Sequence, residues 1–200
     1  AADALGITGL KFGVSASFND EASASSSGAF DTGYGVGVTY VSSAGDTAVT
    51  VGAGYAASEY SGTSLSKDEA AGHVGISAVT GDLTVGVGWA SGSEIATHSS
   101  TTDNSEADGA EVVTAGAKYV SGDITFAIGY VDGDSKDIAT LGSAGSGSDE
   151  YNKTSASVSY TVASGVTAII GYANEERIDE GNKTKDQSGN SWYVGATISF

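Results

Sequence analysis

The tightest constraint on this chain is an alternation of apolar with small or polar residues, repeated in short segments from end to end. In Ser191–Phe200 (SWYVGATISF), Trp192, Val194, Ala196, Ile198 and Phe200 are apolar or aromatic, while Gly195, Thr197 and Ser199 between them are small or polar. A two-residue period places these two sets on opposite faces of a β-strand. Tyr193 is the one large residue out of phase. The same period runs through AVTVGAGY (48–55), DLTVGVGW (82–89), DITFAIGY (123–130) and GVTAIIGY (165–172), each of which ends in an aromatic. GLKFGVSASF (9–18) does likewise. With 32–41, 73–79, 112–120 and 154–162, the chain is predicted to form ten strands.

The spacing between them sorts into two kinds. Around Ser42–Asp46, Thr80–Asp82, Ser121–Asp123 and Ala163–Gly165 the gaps are short and hold Gly, Ser or Asp, as hairpin turns require. The gaps at about 19–31, 56–72, 90–111, 131–152 and 173–191 are long. Of 25 acidic residues, only Asp3, Asp46, Asp82 and Asp123 lie outside those five. Short and long gaps alternate strictly. An antiparallel meander therefore gathers every acidic loop at one end and every tight turn at the other. This is the topology expected of a transmembrane β-barrel.

The aromatic residues are sorted in the same way. Phe18, Tyr55, Trp89, Tyr130, Tyr172 and Trp192 fall beside the long gaps, whereas Tyr40, Tyr119, Tyr160 and Phe200 fall beside the short turns. Two aromatic rows flanking a band of aliphatics match the girdles at the two interfaces of a bilayer. A soluble β-sandwich gives no reason for aromatics to segregate by strand end. The other face offers mainly Gly, Ser and Thr, too small to fill a barrel and too polar for a dry core, which favours a water-filled passage. No apolar run approaches the roughly 18–20 residues that a membrane helix needs. The absence of Cys fits an oxidising compartment. The absence of Met implies that something has been removed from the front, and no signal peptide remains in residues 1–20.

These repeated strands, the sorted loops and the Ser191–Phe200 segment resemble the general-diffusion porins of Gram-negative bacteria, most closely the acidic porins of alphaproteobacteria. The resemblance covers nearly the whole chain and rests on pattern rather than on a catalytic motif. It implies an outer-membrane porin, a passive diffusion channel for ions and small hydrophilic solutes, with no enzymatic activity. Porins of this kind are sixteen-stranded trimers whose third loop folds inward. Ten strands without an evident inward loop imply that residues 1–200, a single β-barrel domain, are the C-terminal portion of a longer barrel. On that expectation strands 9–18 and 191–200 do not pair with each other. The resemblance further implies a homotrimer, contact with outer-membrane lipid and lipopolysaccharide, and recognition of Ser191–Phe200 by the barrel-assembly machinery. It implies no nucleic-acid partner. The alternative is a complete ten-stranded outer-membrane barrel acting as a surface adhesin or receptor, or as a rim protease.

Candidate site residues are few. Strand parity puts Lys11, His73, Lys118 and Lys153 on the lumen face as pore-lining candidates, at different heights and so not in one tight cluster. A net charge of −17 concentrated in the loops predicts an entrance that enriches cations. No cofactor is expected, beyond weak divalent cation binding by the acidic loops. Asp132-Gly133-Asp134-Ser135-Lys136-Asp137 has the start of a calcium loop, but Lys136 occupies a position that needs an oxygen and Ser143 stands where a bidentate Glu belongs. For a protease the candidates are His98, Asp103 and Asp108, unaccompanied by a nucleophile motif.

Overall fold

The computed structural model describes residues 6–18, 29–61, 69–93, 110–136, 148–179 and 186–199. These form one ten-stranded antiparallel sheet whose spatial order is the sequence order. The strands are β1 (Leu10–Phe18), β2 (Ala29–Ala44), β3 (Thr47–Ser61), β4 (Glu69–Thr80) and β5 (Leu83–Gly92), then β6 (Ala110–Ser121), β7 (Ile124–Lys136), β8 (Ser148–Ala163), β9 (Val166–Asp179) and β10 (Gln187–Ile198). Each interior strand is paired on both sides, so its backbone donors and acceptors are satisfied within the sheet. Among the described residues β1 and β10 remain its two edges and are not paired with each other.

Glycine sets the hairpins. Ala44 pairs Thr47, Thr80 pairs Leu83 and Ser121 pairs Ile124, leaving two-residue loops that each begin on a glycine. Those glycines, Gly45, Gly81 and Gly122, have φ of 60°, 55° and 59°. The left-handed first position matches the twist of the strands it joins and strains any residue with a Cβ. The fourth hairpin differs: its glycine, Gly165, comes second, and the register slips between Thr161 and Ala163.

The strands at the other end are longer than the hydrophobic pattern indicates. β3 continues to Ser61, β7 to Lys136 and β9 to Asp179, while β4, β8 and β10 begin at Glu69, Ser148 and Gln187. Parts of the gaps expected at 56–72, 131–152 and 173–191 are therefore sheet. The reason is physical: beyond the aromatic row both faces are polar, so alternation vanishes from the sequence while backbone pairing continues.

Residues directly opposite in an antiparallel ladder share a face, and the register carries one face unbroken across all ten strands. Phe12 faces Val38, Val38 faces Ala53, and Ala53 faces Val74. The same face continues through Ile76–Val87, Ala117–Ile128, Val158–Ile170 and Ile170–Val194. Nothing among the described residues covers it. Val194 is 82% exposed and Val14 77%, and Ala173 at 5% is the one hydrophobic residue buried among those described. A continuous apolar sheet face of this extent is untenable in water and requires an apolar surrounding. Among the described residues the sheet has no interior core; its apolar face is its exterior.

Candidate functional site

The opposite face is built from small side chains. One row of directly opposed residues passes from Lys11 through Thr39, Gly52, Gly75, Gly88, Thr114 and Val131 to Lys153. An open hollow of about 750 Å³ lies over β1–β4 between Lys11 and His73, where glycines leave the backbone bare. With glycine, serine and threonine over much of its breadth, this face leaves room for water and solute rather than for packing.

All four pore-lining candidates fall on this face, on four separate strands. Lys11 is on β1, His73 on β4, Lys118 on β6 and Lys153 on β8. The described contacts do not bring them together. Lys11 and Lys118 lie toward the turns, while Lys153 lies toward the loop end. His73 stands opposite Gly54, and a Cβ there would come within 2.5 Å of its Cε1, so the imidazole rests on the bare glycine.

The structure adds a group that the sequence pattern did not single out. Lys153 forms an ion pair with Glu175, directly opposite on β9. One row further toward the loops, Arg177 sits over the Tyr151 ring, its guanidinium carbon 5.4 Å from the centroid, a cation–π contact. On β10, Tyr193 lies across Gly171 so closely that a Cβ would meet its ring at 2.1 Å. Its phase break thus has a cause: it is an inner-face residue seated on a glycine. Glu175 and Arg177 fall in the expected 173–191 gap. They are hidden there because Asn174, Glu175, Glu176 and Arg177 make both faces of β9 polar, and only its pairing with β8 assigns them.

The two aromatic rows are present on the apolar face. Toward the loops are Phe18, Tyr55, Trp89, Tyr130, Tyr172 and Trp192, with Tyr172 and Trp192 in contact at 4.7 Å between centroids. Tyr34, absent from the expected row, joins it 6.3 Å from Tyr55. Toward the turns are Tyr40, Tyr119 and Tyr160. Phe200 lies outside the described residues. Just beyond the upper row, Tyr130 donates to Asn152 Oδ1 at 3.1 Å, and Asn174 Nδ2 donates to Asn190 Oδ1 at 2.8 Å. Tyr172 also donates to Asn190. Phenol rings pointing away from the aliphatic band to amides suit an interface that is apolar below and wet above.

Two other candidates resolve differently. Asp132–Lys136 belongs to β7 and is paired residue by residue with β8, so this segment has strand geometry, not that of a calcium loop. Among the described residues no group of three or more His, Asp or Glu is placed to hold a metal ion. His98, Asp103 and Asp108 lie outside the described residues.

Solved structures with this architecture are outer-membrane proteins. Pseudomonas aeruginosa OpdQ superposes with a TM-score of 0.59 at 19% identity, over 82% of this chain and 48% of OpdQ. The trimer form of OmpT from Vibrio cholerae gives 0.51 at 13% identity, over 84% of this chain and 56% of OmpT. Pseudomonas aeruginosa OccK2, solved with glucuronate, gives 0.57 at 14% identity, over 97% and 69%. The chain thus spans about half the length of OpdQ and OmpT. No curated protein matches it significantly. The profile of the Gram-negative porin family matches residues 4–179. With that match over most of its length, and a coreless sheet whose apolar face is outermost, the chain is an outer-membrane protein and belongs to the Gram-negative porin family.

Proposed function

We propose that this sheet is the wall of a water-filled channel for passive diffusion of ions and small hydrophilic solutes. The observation that carries this reading is the division of the faces. One is an apolar band between aromatic rows, uncovered among the described residues, and the other is a wall built mainly of Gly, Ser and Thr. Lys11, His73, Lys118 and Lys153 line the passage, and the aromatic rows set its height in the bilayer. The mechanism needs no catalytic group, metal or cofactor: solutes move down their gradients, sorted by size and by the charge of the wall.

The open sheet supports a longer assembly. An unpaired strand edge is costly in hydrocarbon. Residues 1–200 are then one domain-sized portion, C-terminal in the alphaproteobacterial type of sixteen-stranded barrel, with further strands between β10 and β1. The trimer form of OmpT supports a homotrimer by analogy of fold. Lipopolysaccharide is the neighbour proposed for the polar zone above the upper aromatic row, where acidic loops also suit weak divalent cation binding. The barrel-assembly machinery is the proposed reader of Ser191–Phe200. Cation preference is proposed from the net charge of −17 and rests on the acidic loop segments. A non-conducting adhesin, receptor or rim protease is the less favoured reading, since the family match is to Gram-negative porins.

The test is single-channel recording of the full-length protein in planar bilayers. Stepwise conductance, in threes for a trimer, supports the channel. A folded, inserted but silent protein overturns it.

A further inference from the structure

The apolar face is not level: it dips along β6. Ala115 stands between Val87 and Tyr130, and Ala117 between Val85 and Ile128, each directly opposed in the register. β5 and β7 are therefore ridges about 10 Å apart with β6 as the trough between them. Exposure shows the same relief. Val87 is 56% and Ile128 64% exposed, whereas Ala115 and Ala117 on the floor are half-buried. The trough is an apolar groove of about 520 Å³. Tyr119 and Phe126, paired across β6 and β7, close it toward the turns.

Its other end is charged. Glu111 faces Asp134 and Asp134 faces Glu150, while Asp132 stands opposite Val113 in the next row. Among the described residues the register puts one base on this side of the sheet, Lys136, opposite Ser148. Four carboxylates against one ammonium leave the mouth of the groove net negative. Glu111 is four residues from Ala115, about 13 Å at the rise of a strand. That is close to half the thickness of a hydrocarbon core about 30 Å deep, so the floor and the carboxylates lie within reach of one lipid in one leaflet.

We propose that this groove seats one acyl chain of a membrane lipid whose headgroup carries a primary amine, with the ammonium among Glu111, Asp132, Asp134 and Glu150. Shape and charge select the same occupant. Inside a membrane the surrounding lipid is as apolar as the protein, so a partner is retained by close packing and by polar contacts. The groove supplies the packing for a single flexible chain. The carboxylates supply acceptors for the ammonium N–H donors, in charge-assisted hydrogen bonds. A second copy of this chain has no positive patch to meet that mouth, since Lys136 is the one base described on its outer face. A metal ion is also a poorer match, because among the described residues no three carboxylates converge to hold one. The lipid seat requires only that the apolar face be outermost, and is independent of conduction through the other face.

The experiment is native mass spectrometry of the full-length protein released from nanodiscs of phosphatidylethanolamine, phosphatidylcholine and phosphatidylglycerol in equal parts, with the same acyl chains. The expected result is one phosphatidylethanolamine retained per protomer, ahead of both other lipids. Glu111→Gln and Asp134→Asn each lower its retention by about threefold, the Boltzmann factor for a unit charge roughly 7 Å away in water. Glu59→Gln, on the same face but on β3, leaves it unchanged. Ala117→Phe fills the groove and abolishes retention, whereas Val38→Phe, on the same face of β2, does not. Equal retention of the three lipids, or retention indifferent to Ala117→Phe, overturns the proposal. So does retention of phosphatidylglycerol that appears with magnesium and vanishes with EDTA, which assigns the carboxylates to a metal-bridged phosphate. Loss of the oligomer in Ala117→Phe, with lipid retention unchanged, makes the groove a contact between copies and overturns it as well. Circular dichroism in detergent confirms that each variant has formed its sheet. A protein that holds the lipid but passes no current loses the channel reading alone, so the two fail separately.

Discussion

Tyr193 and Gly171 show how single residues shape this wall. Gly171 and its neighbour Ala173 are the buried positions of a sheet otherwise open on both sides, and what covers Gly171 is the Tyr193 ring. A methyl group at Gly171 meets the ring at 2.1 Å, so the ring must swing off the strand. Because the contact is to the far end of a side chain, the cost is modest. Gly171→Ala is expected to lose about 1 kcal/mol in denaturant unfolding from detergent micelles. In a Tyr193→Ala background the same substitution is expected to cost nothing, since the obstacle is gone. Equal losses in both backgrounds would show that the ring does not rest there. The sequence shows Tyr193 as an interruption of its pattern. Its partner is invisible from one strand alone, because the pairing that joins them is set by the register of β9 with β10.

The turns and the strand ends differ in how much of them the sequence reveals. Each hairpin is legible because its chemistry is local: a Gly, Ser or Asp pair between alternating runs. A Cβ at Gly81 would touch nothing within 4 Å, so Gly81→Ala bears only the backbone strain of a φ of 55°, about 1 kcal/mol. Gly165 also has positive φ, 78°, but there a Cβ would lie 2.4 Å from the Ser199 carbonyl oxygen. That backbone atom accepts no easy displacement, so Gly165→Ala is expected to be the more damaging of the two. Melting curves of the two variants, compared with wild type, check the order. The extensions of β3, β7, β8, β9 and β10 beyond the upper aromatic row were not legible, for the opposite reason. Asn152, Asn174 and Asn190 hold this zone through hydrogen bonds with Tyr130, with Tyr172 and between themselves, and polar residues on both faces leave no period to detect. Asn190→Ala removes the acceptor shared by Tyr172 and Asn174, and is expected to cost about 1 kcal/mol in the same unfolding measurement.

For the whole molecule, the decisive question is what stands beside the two edges. β1 and β10 run antiparallel, as closure into a ten-stranded ring would require, yet they do not pair. Alternation alone reaches the same division into two faces as the register, with Lys11, His73, Lys118 and Lys153 on one of them. It was blind to the faces of Glu175 and Arg177, because both lie in a segment it counted as a loop. Closure is likewise a property of no single strand. The chain has no cysteine, so introduced pairs report proximity without background. Cysteines at Ile170 and Val194, directly opposite on β9 and β10, are expected to be joined readily by a short bis-maleimide in the full-length protein. Cysteines at Val14 on β1 and Val194 on β10 are expected not to be, because in a longer barrel other strands lie between them. The inner wall argues the same way: glycines that face one another across β2–β7 leave a ring of ten strands with an unfilled interior, whereas a wider barrel turns that emptiness into a passage. Efficient joining of the two cysteines of the V14C/V194C variant would close the ring at ten strands and overturn the longer-barrel reading, while leaving the faces and the aromatic rows as they are.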